Sequence, residues 1–200
     1  MKKILIIFAH PALQKSQVNK ILIEGLPNKE GVTFHDIYQV YPELDIDVPA
    51  EKELLEKHDI VVLHHPFFWY STPAILKEWQ DLVLEHGWAY GSEGNALKNK
   101  IIFNVITSGG RAEAYTGKGY VHYTVRQLLS PIEQTANLCK MIFLPPYVIH
   151  GTNSITQEEV AQYRDEYYQL LNLLADDQID IDKARKLNYL NDFVKLTKEI

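Results

Sequence analysis

The sequence is poor in cysteine and in long apolar runs. Its 200 residues include one cysteine, Cys139. A single cysteine forms neither an internal disulfide nor a thiolate metal cluster, so the chain fits a reducing cytoplasm. No apolar stretch approaches the ~20 residues of a membrane-spanning helix. The opening MKKILIIFAHP has an apolar run of only about six residues before a proline turn, which predicts a buried strand rather than a signal peptide.

Clustered positive charge is also absent. The chain carries 20 Lys and Arg against 26 Asp and Glu, a net charge of −6. This balance argues against nucleic acid or an anionic membrane surface as the main partner. No metal site is predicted. His64 and His65 are neighbours on a predicted strand and therefore point to opposite faces, and the acidic stretch ELDIDVP lacks the spacing of a calcium loop.

Strand-like and helix-like segments alternate along the chain. Apolar, β-branched runs predict strands at residues 4–8, 60–63, 101–106 and 141–149, and an alternating pattern predicts an edge strand at 32–37. Helical spacing is found at residues 17–22, 49–57, 73–83, 121–137 and 157–174.

Helix-capping residues mark several of these boundaries. Ser16 is expected to cap the first helix, and Thr156 with Glu159 forms a capping-box pattern before the last long one. Ser71 or Thr72 is expected to cap the helix that has Pro73 in its first turn, and Gly87 to end it. Pro131 is expected to kink the helix over 121–137.

The order of these elements predicts an α/β fold. The first three apolar runs are continuous, as in strands buried on both faces of a parallel sheet. Alternating strands and helices favour a flavodoxin-like, doubly wound, five-stranded parallel sheet in the order 2-1-3-4-5, flanked by helices. We assign residues 1–176 to this domain. Residues 177–200 are charged with scattered apolar positions, and we expect an arm that packs on the domain or on a partner.

In such a sheet the ligand binds beyond the carboxyl ends of the strands, where the strand order reverses. Three loops should meet there, at residues 9–17, 64–72 and 107–122. The first lacks both the Gly-x-Gly-x-x-Gly and the P-loop patterns. Its capped helix start can still hold a phosphate through backbone N–H groups, helped by His10 and Asn19. Alternatively, Ser16 only caps the helix and His10 only completes the strand end.

The other two loops are rich in rings and glycine. Phe67 to Tyr70 form four consecutive aromatics that either wall a flat heterocycle or fill the core or a dimer interface. After Gly109 and Gly110, which allow close approach of the backbone, come Tyr115 and His122. These two are candidate hydrogen-bond or proton donors, unless the loop is simply exposed. Together the three loops offer a phosphate-binding helix start, aromatic rings and a glycine pair. This combination suits FMN better than ATP, because no P-loop lysine or Mg²⁺ ligands are evident.

The motifs resemble those of a known family, the flavodoxin-like NAD(P)H:quinone oxidoreductases of the DT-diaphorase type. The resemblance rests on ILIIFAHP with Ser16 and Asn19 after it, on HPFFWYSTPAILKEW, on TSGG with Tyr115 after it, and on LLSPIEQTANLCKMIFLPP. The stretches HDIYQVYPELDIDVP, YTVRQLLSPIEQTANLC and LPPYVIHG are similar to the branch of ancillary proteins of glutathione-regulated potassium-efflux systems.

This resemblance implies FMN as prosthetic group, a homodimer, and two-electron, ping-pong reduction of quinones or similar acceptors by NAD(P)H. It assigns Tyr115 and His122 as catalytic residues, with His122 one residue further from Tyr115 than in the animal enzymes. The cofactor-binding residues it implies are His10, Ser16, Gln17, Val18, Asn19, Pro66, Phe67, Phe68, Trp69, Tyr70, Thr107, Ser108, Gly109, Gly110 and Tyr115.

The branch resemblance also implies an alternative function. The protein would be a cytoplasmic regulatory subunit that docks on a glutathione-gated potassium-efflux antiporter at the inner membrane face. The two functions are compatible with each other. A nucleotide-binding protein without redox chemistry is a third reading.

Overall fold

The central sheet of the computed structural model has the predicted strand order. The structure describes residues 1–198, and their side chains as far as Val194. Strands β1 to β4 and the short β5 lie in the order β2-β1-β3-β4-β5, and β6 also pairs with β4. All pairings are parallel. The strands are β1 (Ile4–Phe8), β2 (Val32–Asp36), β3 (Ile60–Pro66), β4 (Ile101–Thr107), β5 (Ile142–Phe143) and β6 (Tyr147–Ile149).

The predicted strand over 141–149 is wrong in one respect, because it is two strands. β5 pairs with the start of β4, and β6 pairs with its end. Pro145 and Pro146 lie between them. Proline has no N–H to donate to a ladder and a fixed φ, so this dipeptide interrupts the strand. The two pieces together fill the fifth position of the sheet.

Helices cover both faces of the sheet. They are α1 (Gln17–Ile23), α2 (Ile37–Val40), α3 (Val48–Lys57), α4 (Ala74–Val83), α5 (Val125–Leu128), α6 (Ser130–Leu138), α7 (Gln157–Ala175), α8 (Ile181–Ala184) and α9 (Leu190–Lys198). Two capping predictions are confirmed. The Ser16 side chain accepts from the N–H of Asn19, and Thr156 and Glu159 form the reciprocal capping box.

Three other boundary predictions are wrong. Neither Ser71 nor Thr72 caps α4, because the N-cap position is Pro73, which makes no side-chain cap. Helix α4 ends at Val83, ahead of Gly87. Pro131 does not kink one long helix. It lies in the first turn of α6, after a break at Leu129 that separates α6 from α5; a first-turn proline is tolerated because its missing N–H would have no partner there.

The core has two layers, one on each face of the sheet. Along β1, Ile4, Ile6 and Phe8 face one layer, and Leu5 and Ile7 face the other, as the two-residue period of a strand requires. Helices α1, α7 and α9 cover the first layer, and α3, α4 and α6 cover the second. Within residues 1–198, no helix is long and apolar enough to span a bilayer.

The C-terminal segment folds back onto this sheet. Leu190 and Val194 are fully buried in the layer with α7. The Asn191 side chain bonds both the N–H and the C=O of Val148 in β6, at 2.8 and 3.0 Å. The described part of the arm therefore packs on its own chain. The domain boundary at residue 176 stays a prediction, and residues 199–200 lie outside the described residues.

Candidate functional site

A cleft of about 430 Å³ opens at the carboxyl ends of β1, β3 and β4. This is the edge where the order of the strands reverses. The start of α1, the loop after β3 and the loop after β4 all reach it, and the loop after β6 closes it from a fourth side. The lining residues are His10, Lys15, Ser16, Gln17, Val18, Asn19, Pro66, Phe67, Phe68, Thr107, Gly109, Thr152 and Asn153.

Asn19 is the centre of a buried hydrogen-bond network at the floor of this cleft. Its amide nitrogen donates to Ser16 Oγ at 3.0 Å and to Thr107 Oγ1 at 3.1 Å. Its amide oxygen lies 3.2 Å from His64 Nε2. Asn19, Thr107 and His64 are all buried. The network ties α1 to the ends of β3 and β4, so the three walls of the cleft are held in a fixed relation.

His10 contributes a nitrogen at the end of β1. Its Nδ1 accepts from the N–H of Ala12 at 3.1 Å. Burial lowers the pKa of His10, which favours the neutral ring. Since Nδ1 is an acceptor, the neutral ring carries its proton on Nε2. His10 is therefore a potential donor to a ligand in the cleft.

The aromatic loop after β3 makes a tight turn that exposes Trp69. The N–H of Ser71 donates to the C=O of Phe68 at 2.9 Å, and both central residues have positive φ, +49° at Trp69 and +64° at Tyr70. Positive φ at both central positions characterises a type I′ turn, which normally uses Asn or Gly. The Trp69 side chain is 93% exposed, so it does not fill this chain's core. Unfavourable backbone at an exposed ring is typical of a binding segment.

Phe67, at the start of the same loop, is partly buried. It packs against the core layer that contains α4, and its ring lies 6.0 Å from that of Tyr115. The four rings therefore divide between core support, cleft lining and exposed surface.

Tyr115 is fixed below the glycine pair. It is 6% exposed, and its hydroxyl is 2.9 Å from Ser108 Oγ. Ser108 Oγ also accepts from the N–H of Gly110 at 3.2 Å. A Cβ on Gly110 would lie 2.8 Å from Cε2 of Tyr115, so only glycine allows this approach. Tyr115, Ser108 and Gly110 thus form one rigid unit beside the cleft, although they are not among its lining residues.

His122 and His150 differ in their relation to Tyr115. His122, which the family resemblance assigns as catalytic, is exposed and has a φ of +63°. The imidazole packed on Tyr115 belongs to His150, with ring centroids 5.4 Å apart, and burial lowers the pKa of His150. Sequence reasoning missed His150, and it also missed Thr152 and Asn153. All three directly follow the strand in the fifth position of the sheet. They therefore lie where ligands bind in such sheets, beyond the carboxyl ends of the strands.

His64 and His65 contact different elements, as the strand period predicts. His64 bonds Asn19 on the side of α1. His65 bonds Asn104 Oδ1 at 3.1 Å and the C=O of Pro66 at 3.0 Å.

The strand order and the cleft at its switch point define the class of protein, a flavodoxin-like protein with a ligand site at the carboxyl edge of the sheet. The model of the flavodoxin-like fold matches residues 2–171. Two solved structures agree. General stress protein 14 of Treponema denticola, solved in complex with FMN, has a TM-score of 0.81 at 38% identity, covering 86% of this chain and 99% of that one. An NADPH-quinone reductase from P. pentosaceus has a TM-score of 0.76 at 30% identity, covering 84% and 96%.

Three curated relatives are similar over most of their length. General stress protein 14 of Bacillus subtilis is 44% identical over 159 residues, 80% of this chain and 91% of that protein. The ancillary protein KefG of a glutathione-regulated potassium-efflux system in Yersinia enterocolitica is 40% identical, covering 84% and 92%. The uncharacterized NAD(P)H oxidoreductase YrkL of Bacillus subtilis is 40% identical, covering 79% and 91%. The chain belongs to the flavodoxin-like NAD(P)H quinone reductase family of oxidoreductases, and the resemblance inferred from the motifs is confirmed.

Proposed function

We propose that the protein binds FMN in the carboxyl-edge cleft and uses it to reduce quinones or similar acceptors with NAD(P)H. One observation carries the proposal. A single cleft of about 430 Å³ joins the start of α1, the aromatic loop and the first glycine of the TSGG motif.

The residues of the cleft fit the three parts of FMN. Ser16, Asn19 and His10 contribute hydroxyl, amide and imidazole groups to the lining of the cleft, and Lys15 adds a positive charge. Such groups suit a phosphate and a polyol chain. Phe67 and Phe68 line the same cleft, and a flat ring system would pack against them. FMN, when bound, supplies the two-electron hydride chemistry between the nicotinamide and the acceptor.

Tyr115 is proposed to hold a proton at the edge of this site. Its hydroxyl is anchored on Ser108 Oγ, so its direction is fixed before a ligand arrives, which favours stabilisation of developing negative charge. His122, on the same loop, is the proposed second proton donor. In the chain considered alone it is exposed.

A homodimer is part of this proposal. Trp69, Tyr120 and Tyr123 are each more than half exposed. Large exposed rings are the residues that protein interfaces most often bury. The second subunit is proposed to cover them and to complete the acceptor side of the cleft.

Steady-state kinetics test the reaction. If NAD(P)H and the quinone take turns in one cleft, double-reciprocal plots at several quinone concentrations should give parallel lines. Intersecting lines would refute the shared cleft.

A second candidate function is regulation of a potassium-efflux antiporter. The 40% identity to KefG supports it, as do the branch-specific stretches of the sequence. Docking on such a transporter would hold the protein at the cytoplasmic face of the membrane. The test is potassium efflux from cells that contain the antiporter, with and without the protein. No change in efflux and no co-purification would refute it.

A further inference from the structure

His64 is the buried group that determines which atoms of the Asn19 network donate hydrogen bonds and which accept them. It is fully buried, and its Nε2 is 3.2 Å from Asn19 Oδ1. Its other nitrogen, Nδ1, has no hydrogen-bond partner among the described residues. The ring is enclosed by aromatics, with Phe8 at 5.1 Å and Tyr167 at 5.6 Å between centroids.

The ring is neutral and its proton is on Nε2. Burial, with smaller contributions from the neighbouring His65 and His10, lowers the pKa of His64 to about 3. A neutral imidazole carries one N–H. A proton on Nδ1 would be a buried donor without an acceptor, whereas a proton on Nε2 has Asn19 Oδ1 and leaves only an acceptor unpaired. Orphaned buried donors are the rarer of the two.

This tautomer fixes the orientation of the Asn19 amide. With Oδ1 accepting from His64, Nδ2 must face Ser16 Oγ and Thr107 Oγ1, and it donates to both. Ser16 Oγ accepts a second N–H, from the Asn19 backbone, at 3.1 Å. The acceptor capacity of Ser16 is thus used, and its own proton is directed elsewhere. In the opposite amide orientation, Asn19 Oδ1 would accept hydrogen bonds from both hydroxyls, and neither hydroxyl would be free to donate to the cleft.

We propose that His64 is a positioning residue that makes the hydroxyls of Ser16 and Thr107 donors toward the cleft, and thereby makes the cleft select an anionic, phosphate-bearing flavin over an uncharged one. The inference rests on the proposed function, because it concerns which flavin the proposed FMN site prefers. Hydrogen bonds to charged acceptors are stronger than those between neutral groups. Loss of the donors therefore affects a phosphate ester more than its parent alcohol.

Binding of FMN and riboflavin to the flavin-free protein tests the proposal. His64→Leu should weaken FMN binding about tenfold or more and riboflavin binding by about threefold or less. His64→Gln should restore most of the selectivity, because its terminal amide can donate to Asn19. His65→Leu is the matched control. His65 is equally buried and adjacent, but it bonds Asn104 and Pro66 on the other face, so selectivity should remain within about threefold of wild type.

Equal weakening of both flavins in His64→Leu, or the same loss of selectivity in His65→Leu, would overturn the proposal. If wild type binds FMN but none of these changes alters selectivity, the inference fails and the proposed function stands. If wild type binds neither flavin, both fail.

A second measurement determines the protonation of His64 in the wild-type protein directly. Nitrogen-15 NMR of histidine-labelled protein distinguishes a protonated ring nitrogen from a bare one, and the signal missing in His64→Gln identifies His64. A neutral ring protonated at Nε2 supports the proposal, and protonation at Nδ1 refutes it.

Discussion

Glu51 is a buried carboxylate whose removal should destabilise the fold strongly. Its side chain is fully buried in α3. It accepts from Tyr41 Oη at 2.6 Å and from Trp79 Nε1 at 2.8 Å, and it lies 2.7 Å from His35 Nε2. The substitution Glu51→Ala leaves these three groups without their acceptor. Trp79 belongs to α4, which directly follows the aromatic turn, so its hydrogen bond to Glu51 also holds the helix that supports this turn in place.

The expected loss in the free energy of unfolding follows from the number of buried donors that are left without an acceptor. Each buried donor left unpaired costs about 1–3 kcal/mol. Water entering the vacated space moves the total toward the lower figures, so we expect a loss of about 3–5 kcal/mol. With an m-value of about 2 kcal/mol/M, the urea midpoint of the flavin-free protein should fall by about 1.5–2.5 M.

Glu53→Ala is the matched control. Glu53 lies two residues along the same helix and is exposed, and among the described residues it forms an ion pair with Lys57 alone, at 3.1 Å. Exposed pairs contribute little, so its midpoint should stay close to wild type. Equal midpoints for Glu51→Ala and Glu53→Ala would refute the reasoning.

The same carboxylate predicts a pH dependence. Burial alone would raise the pKa of Glu51, but the hydrogen bonds from His35, Tyr41 and Trp79 outweigh it and hold the pKa below the ordinary value of 4.5. A depressed pKa contributes stability that is present above that value and lost as the pH falls through the folded-state pKa. The advantage of wild type over Glu51→Gln should therefore shrink below about pH 4.5. A constant difference between pH 7 and pH 3 would contradict this.

Three further substitutions test the site and its frame. Tyr115→Phe should lose turnover while keeping bound flavin, because only the hydroxyl on Ser108 is removed; unchanged kcat would exclude Tyr115 from the chemistry. Trp69→Ala should change the free energy of unfolding by less than about 0.5 kcal/mol, since the ring is exposed, yet weaken flavin binding or dimerisation by equilibrium titration and light scattering; no change in either would refute its binding role. Thr156→Ala should cost about 1 kcal/mol in urea unfolding through loss of the α7 cap, and a wild-type midpoint would show that the cap is dispensable.

The sequence predicted the parts of the fold that depend on local patterns. The strands at 4–8, 60–63 and 101–106 are continuous apolar runs, and Ser16 and Thr156 cap helices through contacts only three residues away. The prediction failed where local alternatives compete. Ser71 and Thr72 are good capping residues, but Ser71 is instead tied to Phe68 in the aromatic turn.

The rest depends on contacts between distant parts of the chain. From sequence alone Glu51 would be expected to face solvent; its burial depends on His35, Tyr41 and Trp79, which come from other elements. His150 contacts Tyr115 because the sheet places β6 beside β4; this position follows from strand order and not from a local sequence pattern. The three loops of the cleft were predictable because their position follows from strand order alone.

Flavin content is the most direct test of the central claim. The account predicts that the purified protein absorbs near the flavin bands at about 370 and 450 nm, or that the colourless protein takes up added FMN until roughly one molecule is bound per chain. A colourless protein that leaves added FMN free in solution would contradict it.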